Sequence, residues 1–121
     1  MILAASLLAV AALAASSPAE HPGGPELRFG AMRICGATVG PAAKDSERRN
    51  YTVVIELRAE QRAQLYEETR RNVGRTLAIR FGERTIMEPI INEPIAGGSA
   101  HINAPSRAEI EALRRAAARP C

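Results

Sequence analysis

The sequence predicts an α+β fold, a two-layer sandwich with a mainly antiparallel sheet of four to five strands and two helices on one face. Three observations carry that prediction. Tyr51 to Leu57 alternates strictly, with Tyr51, Val53, Ile55 and Leu57 on one face and Thr52, Val54 and Glu56 on the other. Ala59 to Val73 and the stretch after Ser106 change to a helical period. Gly82-Glu83 joins two alternating runs through two residues with glycine first, the signature of a type II′ hairpin, so the strands it links run antiparallel.

The elements follow in order. Leu27 to Cys35 reads as one strand in which Leu27 and Phe29 share a face and Met32 and Ile34 resume it one residue late, which predicts a bulge at Gly30. Residues 36–50, with Gly36, Gly40, Pro41 and a polar run, read as a loop. After the strand at Tyr51 to Leu57, the helix Ala59 to Val73 is expected to bury Ala59, Ala63, Leu65, Tyr66 and Val73. Asn72 and a left-handed Gly74 end it. Leu77, Ile79 and Phe81 form the next strand, and Arg84 to Ile91 returns as its partner. Pro89 has no N–H, which puts that partner at an edge or takes it out of the sheet there. Asn92 to Gly98 is a loop. Ser99 to Asn103 is a short strand with Ala100 and Ile102 inward and His101 outward. Ser106-Arg107-Ala108-Glu109 is a capping box, and the helix it opens buries Ile110, Leu113 and Ala117. Arg114, Arg115 and Arg119 suit its C-terminal end.

At 121 residues the chain makes one domain. With 46% hydrophobic residues it can build a core, and with 3% aromatic residues and no Trp that core is aliphatic. So few aromatic faces exclude the stacking mode of single-stranded nucleic-acid binding. The net charge of +3 is spread over arginines interleaved with glutamates, as in Glu67-Glu68-Thr69-Arg70-Arg71, where Glu67 and Arg71 are spaced to pair on a helix. That is a solvated face, and no nucleic-acid partner is expected.

The N-terminus reads as an address. Residues 1–17 carry no charged side chain, Ile2 to Ala15 is apolar throughout, and small residues follow at signal-peptidase spacing. The expected organisation is a signal peptide over 1–17, a flexible leader over 18–26 and a single domain over 27–121, periplasmic or secreted, with no membrane span after cleavage; an uncleaved N-terminal anchor is the competing reading. Export places Cys35 and Cys121, the only cysteines, where an intramolecular disulfide forms; two free thiols or an intermolecular bridge are the competing states.

No catalytic chemistry is legible. His21 and His101 lie far apart, no ligand set has metal spacing, and GxSxG, P-loop, dinucleotide and CxxC motifs are absent. Glu56 and Glu88 are strand carboxylates expected to be solvated. The chain reads as a non-enzymatic protein without a cofactor.

From Tyr51 onward the segments carry a more specific pattern. A helix ends in Thr69, Asn72 and Gly74, an apolar strand and a turn at Gly82 follow, and then come Pro89, Pro94-Ile95, Gly97-Gly98, an alternating strand and a capped helix. This resembles the head subdomain of the first large periplasmic domain of SecD, the accessory subunit of the bacterial preprotein translocase. Two positions depart from the family's pattern: Arg58 and Ala59 stand where a small polar residue usually caps the first helix, and Ala104 stands where a glycine is usual. The resemblance covers neither the membrane helices of SecD nor the base of its periplasmic domain. It implies a stand-alone exported α+β module that binds protein, either unfolded exported chains or translocon-associated and envelope proteins. The alternative is a small secreted structural or inhibitor-like protein that reuses the fold. The expected contact surface is Met87, Pro89, Ile91, Pro94, Ile95, Gly97 and Gly98, an apolar edge suited to strand addition, with Met87 and Ile91 either outward or packed under the loops. The sequence leaves the oligomeric state open.

Overall fold

A glycine at the first place of a two-residue turn builds two hairpins of the first sheet. In this computed structural model, which describes residues 24–121, Gly30 takes φ 62° and Gly82 φ 64°, while the Ala31 and Glu83 that follow them do not take positive φ. That combination matches type II′ turns. The first hairpin joins β1 (Leu27–Phe29) to β2 (Met32–Ile34), and the second joins β6 (Ile79–Phe81) to β7 (Arg84–Met87). The bulged single strand expected over Leu27 to Cys35 is therefore a hairpin. The one-residue slip has a different cause: Leu27 faces Ile34 and Phe29 faces Met32 across the turn, on one face. The sheet order is β2-β1-β6-β7, with every pairing antiparallel.

The second sheet is centred on β5 (Asn50–Glu56). β8 (Ser99–Ala104) runs along one side of it, and β3 (Thr38–Val39) and β4 (Ala43–Asp45) run in succession along the other. The register shifts by one residue between β3 and β4, around Pro41, where Gly40 N donates to Val54 O at 3.0 Å. Residues 36–50 are thus not all loop. Thr38, Ala43 and Lys44 are exposed, so these short strands carry no alternating apolar signal.

The second helix, α2 (Arg107–Ala118), begins as expected. Ser106 Oγ accepts from Glu109 N at 3.1 Å, while the Glu109 carboxylate pairs with Arg84 of β7. It buries Ile110, Leu113, Ala116 and Ala117 against β3, β5 and β8 and reaches β1. The first helix, α1 (Ala59–Arg71), packs on β2 and departs from expectation. Its buried residues are Gln61, Leu65 and Thr69, whereas Ala59, Ala63, Tyr66 and, beyond its end, Val73 are exposed. Burial of the polar face is possible because its polar atoms are satisfied: Gln61 Nε2 donates to Arg33 O at 2.7 Å, and Thr69 Oγ1 donates to Leu65 O at 2.8 Å. The ion pairs on this helix also differ from the expected Glu67–Arg71, forming between Glu67 and Arg70 and between Glu68 and Arg71.

Both sheets and both helices share one aliphatic core. Leu27, Phe29, Ile34, Val53, Ile55, Ile102, Ile110 and Leu113 are all essentially inaccessible. Cys35 is bonded to Cys121 across 86 residues of sequence, which ties the end of α2 to the end of β2. The α+β sandwich is as expected, with its strands divided between two four-stranded sheets. The expected signal peptide and most of the leader, including His21, lie outside the described residues.

Candidate protein-contact surface

The segment 88–98 is held by the end of α1. Thr69 is fully buried, and its Oγ1 both donates to the helix and accepts from Ile95 N at 2.9 Å. Asn72 closes the helix, its backbone N donating to Thr69 O and its side-chain amide to Glu68 O at 2.7 Å. Gly74, at φ 93°, then donates its N–H to Ile91 O at 2.8 Å. The chain continues the pairing, with Ile91 N donating to Arg75 O and Leu77 N to Pro89 O, both at 2.8 Å. The Thr69, Asn72 and Gly74 spacing therefore has a single physical effect, which is to fasten segment 88–98 to a helix end at Ile91 and at Ile95. Pro89 sits beyond β7 at the sheet's edge, where its missing N–H breaks no ladder.

This fastening sorts the expected contact residues. Ile91 is 4% exposed and belongs to the core, and Met87, Pro94 and Ile95 are half-buried, with Met87 and Ile95 packed against it. Ile91 is thus unavailable as a contact residue, and the packing alternative holds for it. Pro89 and Gly97 are exposed. Gly98 is buried at φ 73°, and a β-carbon there would meet Arg62 Cδ at 2.6 Å and Cγ at 3.0 Å. The close approach that needs a glycine is therefore made by the chain's own helix. Gly98 O also accepts from Leu57 N at 2.8 Å, joining the end of β5 to the start of β8.

Other side chains take the outward places. Ile90 is 62% exposed, Val73 49% and Tyr66 38%. Ala59, Arg62, Ala63, Tyr66 and Glu67 of α1 line a shallow depression with Ala96 of the fastened segment. Beside Tyr66, the Arg70 guanidinium donates to Glu67 at 2.8 Å and holds that carboxyl below its ordinary range, while Arg70 is raised in turn. Ile90 is absent from the contact residues expected of the sequence. The usable signal was the Ile90-Ile91 doublet itself, since in extended chain only one of two adjacent residues can face the core. The bridge between Thr76 and Ile90 fixes which one. Among the described residues no three His, Cys, Asp or Glu side chains come together as a metal-binding group, and His101 lies exposed on β8 opposite Val54. Glu56 ends β5 of the second sheet and Glu88 follows β7 of the first, and both are exposed.

The family model of the SecDF P1 head subdomain matches residues 28–114. The chain belongs to the SecDF P1 head subdomain family. The match extends the resemblance upstream of Tyr51 to include most of β1 and all of β2 to β4, and it contains the whole Thr69-to-Gly98 arrangement. Two solved SecDF structures are similar. One is of a membrane component SecDF that enhances protein export, with 29% sequence identity, a TM-score of 0.56, and coverage of 64% of this chain and 36% of that one. The other is SecDF in a super-membrane-facing form, with 26% identity, a TM-score of 0.57, and coverage of 70% of this chain and 12% of that one. The chain thus spans a minor part of either SecDF protein. No curated protein sequence matches it. Among the described residues no helix is long and apolar enough to cross a membrane.

Proposed function

We propose that this protein is a SecD-like, export-linked module that works in the cell envelope outside the cytoplasm and holds polypeptide non-covalently, without catalysing a reaction. The family match over residues 28–114 carries this reading. The surface that best supports polypeptide contact is the outer face of α1, the turn after it and the segment it fastens, where Tyr66, Val73 and Ile90 expose apolar side chain. Exposed aliphatic and aromatic groups on a firmly held framework suit extended chains, because little ordering entropy is lost by the module itself on binding. The client supplies apolar side chains to these residues and backbone groups to the edge beside β7.

The test replaces Ile90 with a photo-crosslinking residue in the full-length chain, in its native cells. Capture of translocon subunits or of many unrelated exported chains supports the reading. Capture of one folded envelope protein identifies a dedicated partner and a fold reused outside export. An empty result, with the protein located outside the cytoplasm, rejects this surface.

A further inference from the structure

The Cys35–Cys121 bond lies beside the start of α1. Cys35 sits beside the first turn of α1, where Gln61 Nε2 approaches Cys35 Sγ at 3.7 Å and Gln61 Oε1 accepts from Cys35 N at 3.4 Å. That turn has no side-chain cap, because the N-cap residue, Arg58, contributes none. Its N–H groups therefore present partial positive charge at the helix end. Arg58 instead passes over Gly36. A β-carbon at Gly36 would lie 2.8 Å from Arg58 Cδ, so the glycine makes room for the arginine, while Cys121 Sγ, 3.4 Å away, is in ordinary contact. Arg58 Nε is buried without a hydrogen-bond partner, and the guanidinium's contact with Glu60, at 3.6 Å, is to a carboxylate that is 72% exposed.

Cys35 Sγ thus has the Gln61 amide as an N–H donor close by, while the Arg58 side chain and Cys121 Sγ both border Gly36. A disulfide sulfur gains little from such donors, whereas a thiolate gains a charge-assisted hydrogen bond. The two residues also differ in access, since Cys35 is 7% exposed and Cys121, at the chain's end, is exposed. We propose that Cys35–Cys121 is a thiol–disulfide exchange site that accepts electrons from a dithiol, with Cys121 the sulfur attacked and Cys35 the sulfur that leaves.

The incoming thiolate attacks Cys121 Sγ. A new S–S bond joins the dithiol to Cys121, and the electron pair of the old bond departs on Cys35 Sγ, where Gln61 and the first turn of α1 meet it. The second thiol of the dithiol loses its proton and attacks the sulfur already bonded to Cys121. Cys121 leaves as a thiolate on the side of Arg58. Two electrons have passed to the protein, the dithiol has become a disulfide, and its two protons go to solvent or to the protein sulfurs. The end of α2 keeps two other ties after opening, Gly36 N to Arg119 O at 2.7 Å and Ala37 N to Ala117 O at 3.0 Å.

Glutathione buffers of graded ratio, applied to the folded full chain with thiols trapped by a maleimide, test the proposal. The expected result is reversible equilibration with glutathione, which structural disulfides resist. In Arg58→Ala and Gln61→Leu the ratio of squared glutathione to glutathione disulfide at half reduction should rise by about tenfold each, and Arg58→Lys should keep most of the wild-type value. Circular dichroism checks the fold of each variant in both redox states. Gln61 is buried, so Arg58→Ala, at a side chain 35% exposed, decides the matter if Gln61→Leu does not fold. Thiols that appear only in denaturant, or a midpoint unchanged by Arg58→Ala, overturn the proposal.

Discussion

Gly97 and Gly98 are adjacent in sequence and opposite in physical situation. Gly98 combines φ 73° with the stem of Arg62 against its vacant β-position, whereas Gly97 has nothing within 4 Å. Gly98→Ala should therefore cost about 1–2 kcal/mol, from the left-handed backbone alone, before any displacement of Arg62 is added. Gly97→Ala should change stability by no more than about 0.5 kcal/mol, both being read from urea unfolding midpoints at constant m-value. The Ile90-Ile91 doublet divides in the same way. Ile91→Ala should cost about 2–5 kcal/mol, since it removes a core side chain. Ile90→Ala should leave stability within about 0.5 kcal/mol and lower the yield of client crosslinking from a neighbouring position. Reversal of that order in unfolding experiments would show that the doublet faces the other way.

At the scale of elements, α1 acts as a clamp for the segment after β7. Its inward face can carry Gln61 and Thr69 beside Leu65 because each buried polar group has a specific partner. Gln61 serves β2 and Cys35, and Thr69 serves Ile95. Thr69→Val keeps the side-chain shape but leaves Ile95 N–H without its acceptor. The expected loss is about 1–3 kcal/mol, because an unsatisfied buried donor keeps its desolvation cost. Native-state hydrogen exchange should report the change locally, with the Ile95 amide losing protection before the amides of β5 and β8. Thr69→Ser should restore most of both. Uniform loss of protection throughout the domain would mean that Thr69 supports the core in general and does not act as a clamp.

For the molecule as a whole, the disulfide is the longest-range covalent constraint. Closing a loop of 86 residues should stabilise the oxidised chain over the reduced one by about 4–5 kcal/mol in the chain-entropy model. Thiolates held by Gln61, Arg58 and the uncapped end of α1 stabilise the folded reduced state and so subtract from that difference. Urea unfolding of the oxidised and reduced full chain should give a gap well under the loop-closure figure. An undiminished gap would mark the bond as a structural staple. The two sheets and α2 bury one continuous aliphatic core, so the reduced chain is expected to keep its fold.

Much of this fold was legible in the residues. The alternation at Tyr51 to Leu57, the Gly82-Glu83 turn, the Ser106 cap, the apolar stripe of α2 and the Thr69, Asn72 and Gly74 helix end are local signals, and the structure carries each of them. Less legible were β3 and β4, which are short and exposed, and the hairpin at Gly30, whose one-residue slip is shared by a bulge and a turn. The contact surface was legible as a region and not as a set of side chains.

Fold class, most strand and helix positions and the family are readable from the residues alone, because backbone preference, turn chemistry and hydrophobic period act within a few residues. Long-range packing sets the orientation of α1, with Gln61 and Thr69 inward and Tyr66 outward, and places Ile91 in the core while Ile90 stays outside. It also brings Arg58, Gln61, Cys35 and Cys121 together. The reason is physical: whether a polar side chain can be buried depends on partners far away in sequence, and a periodic pattern contains no information about where those partners will be.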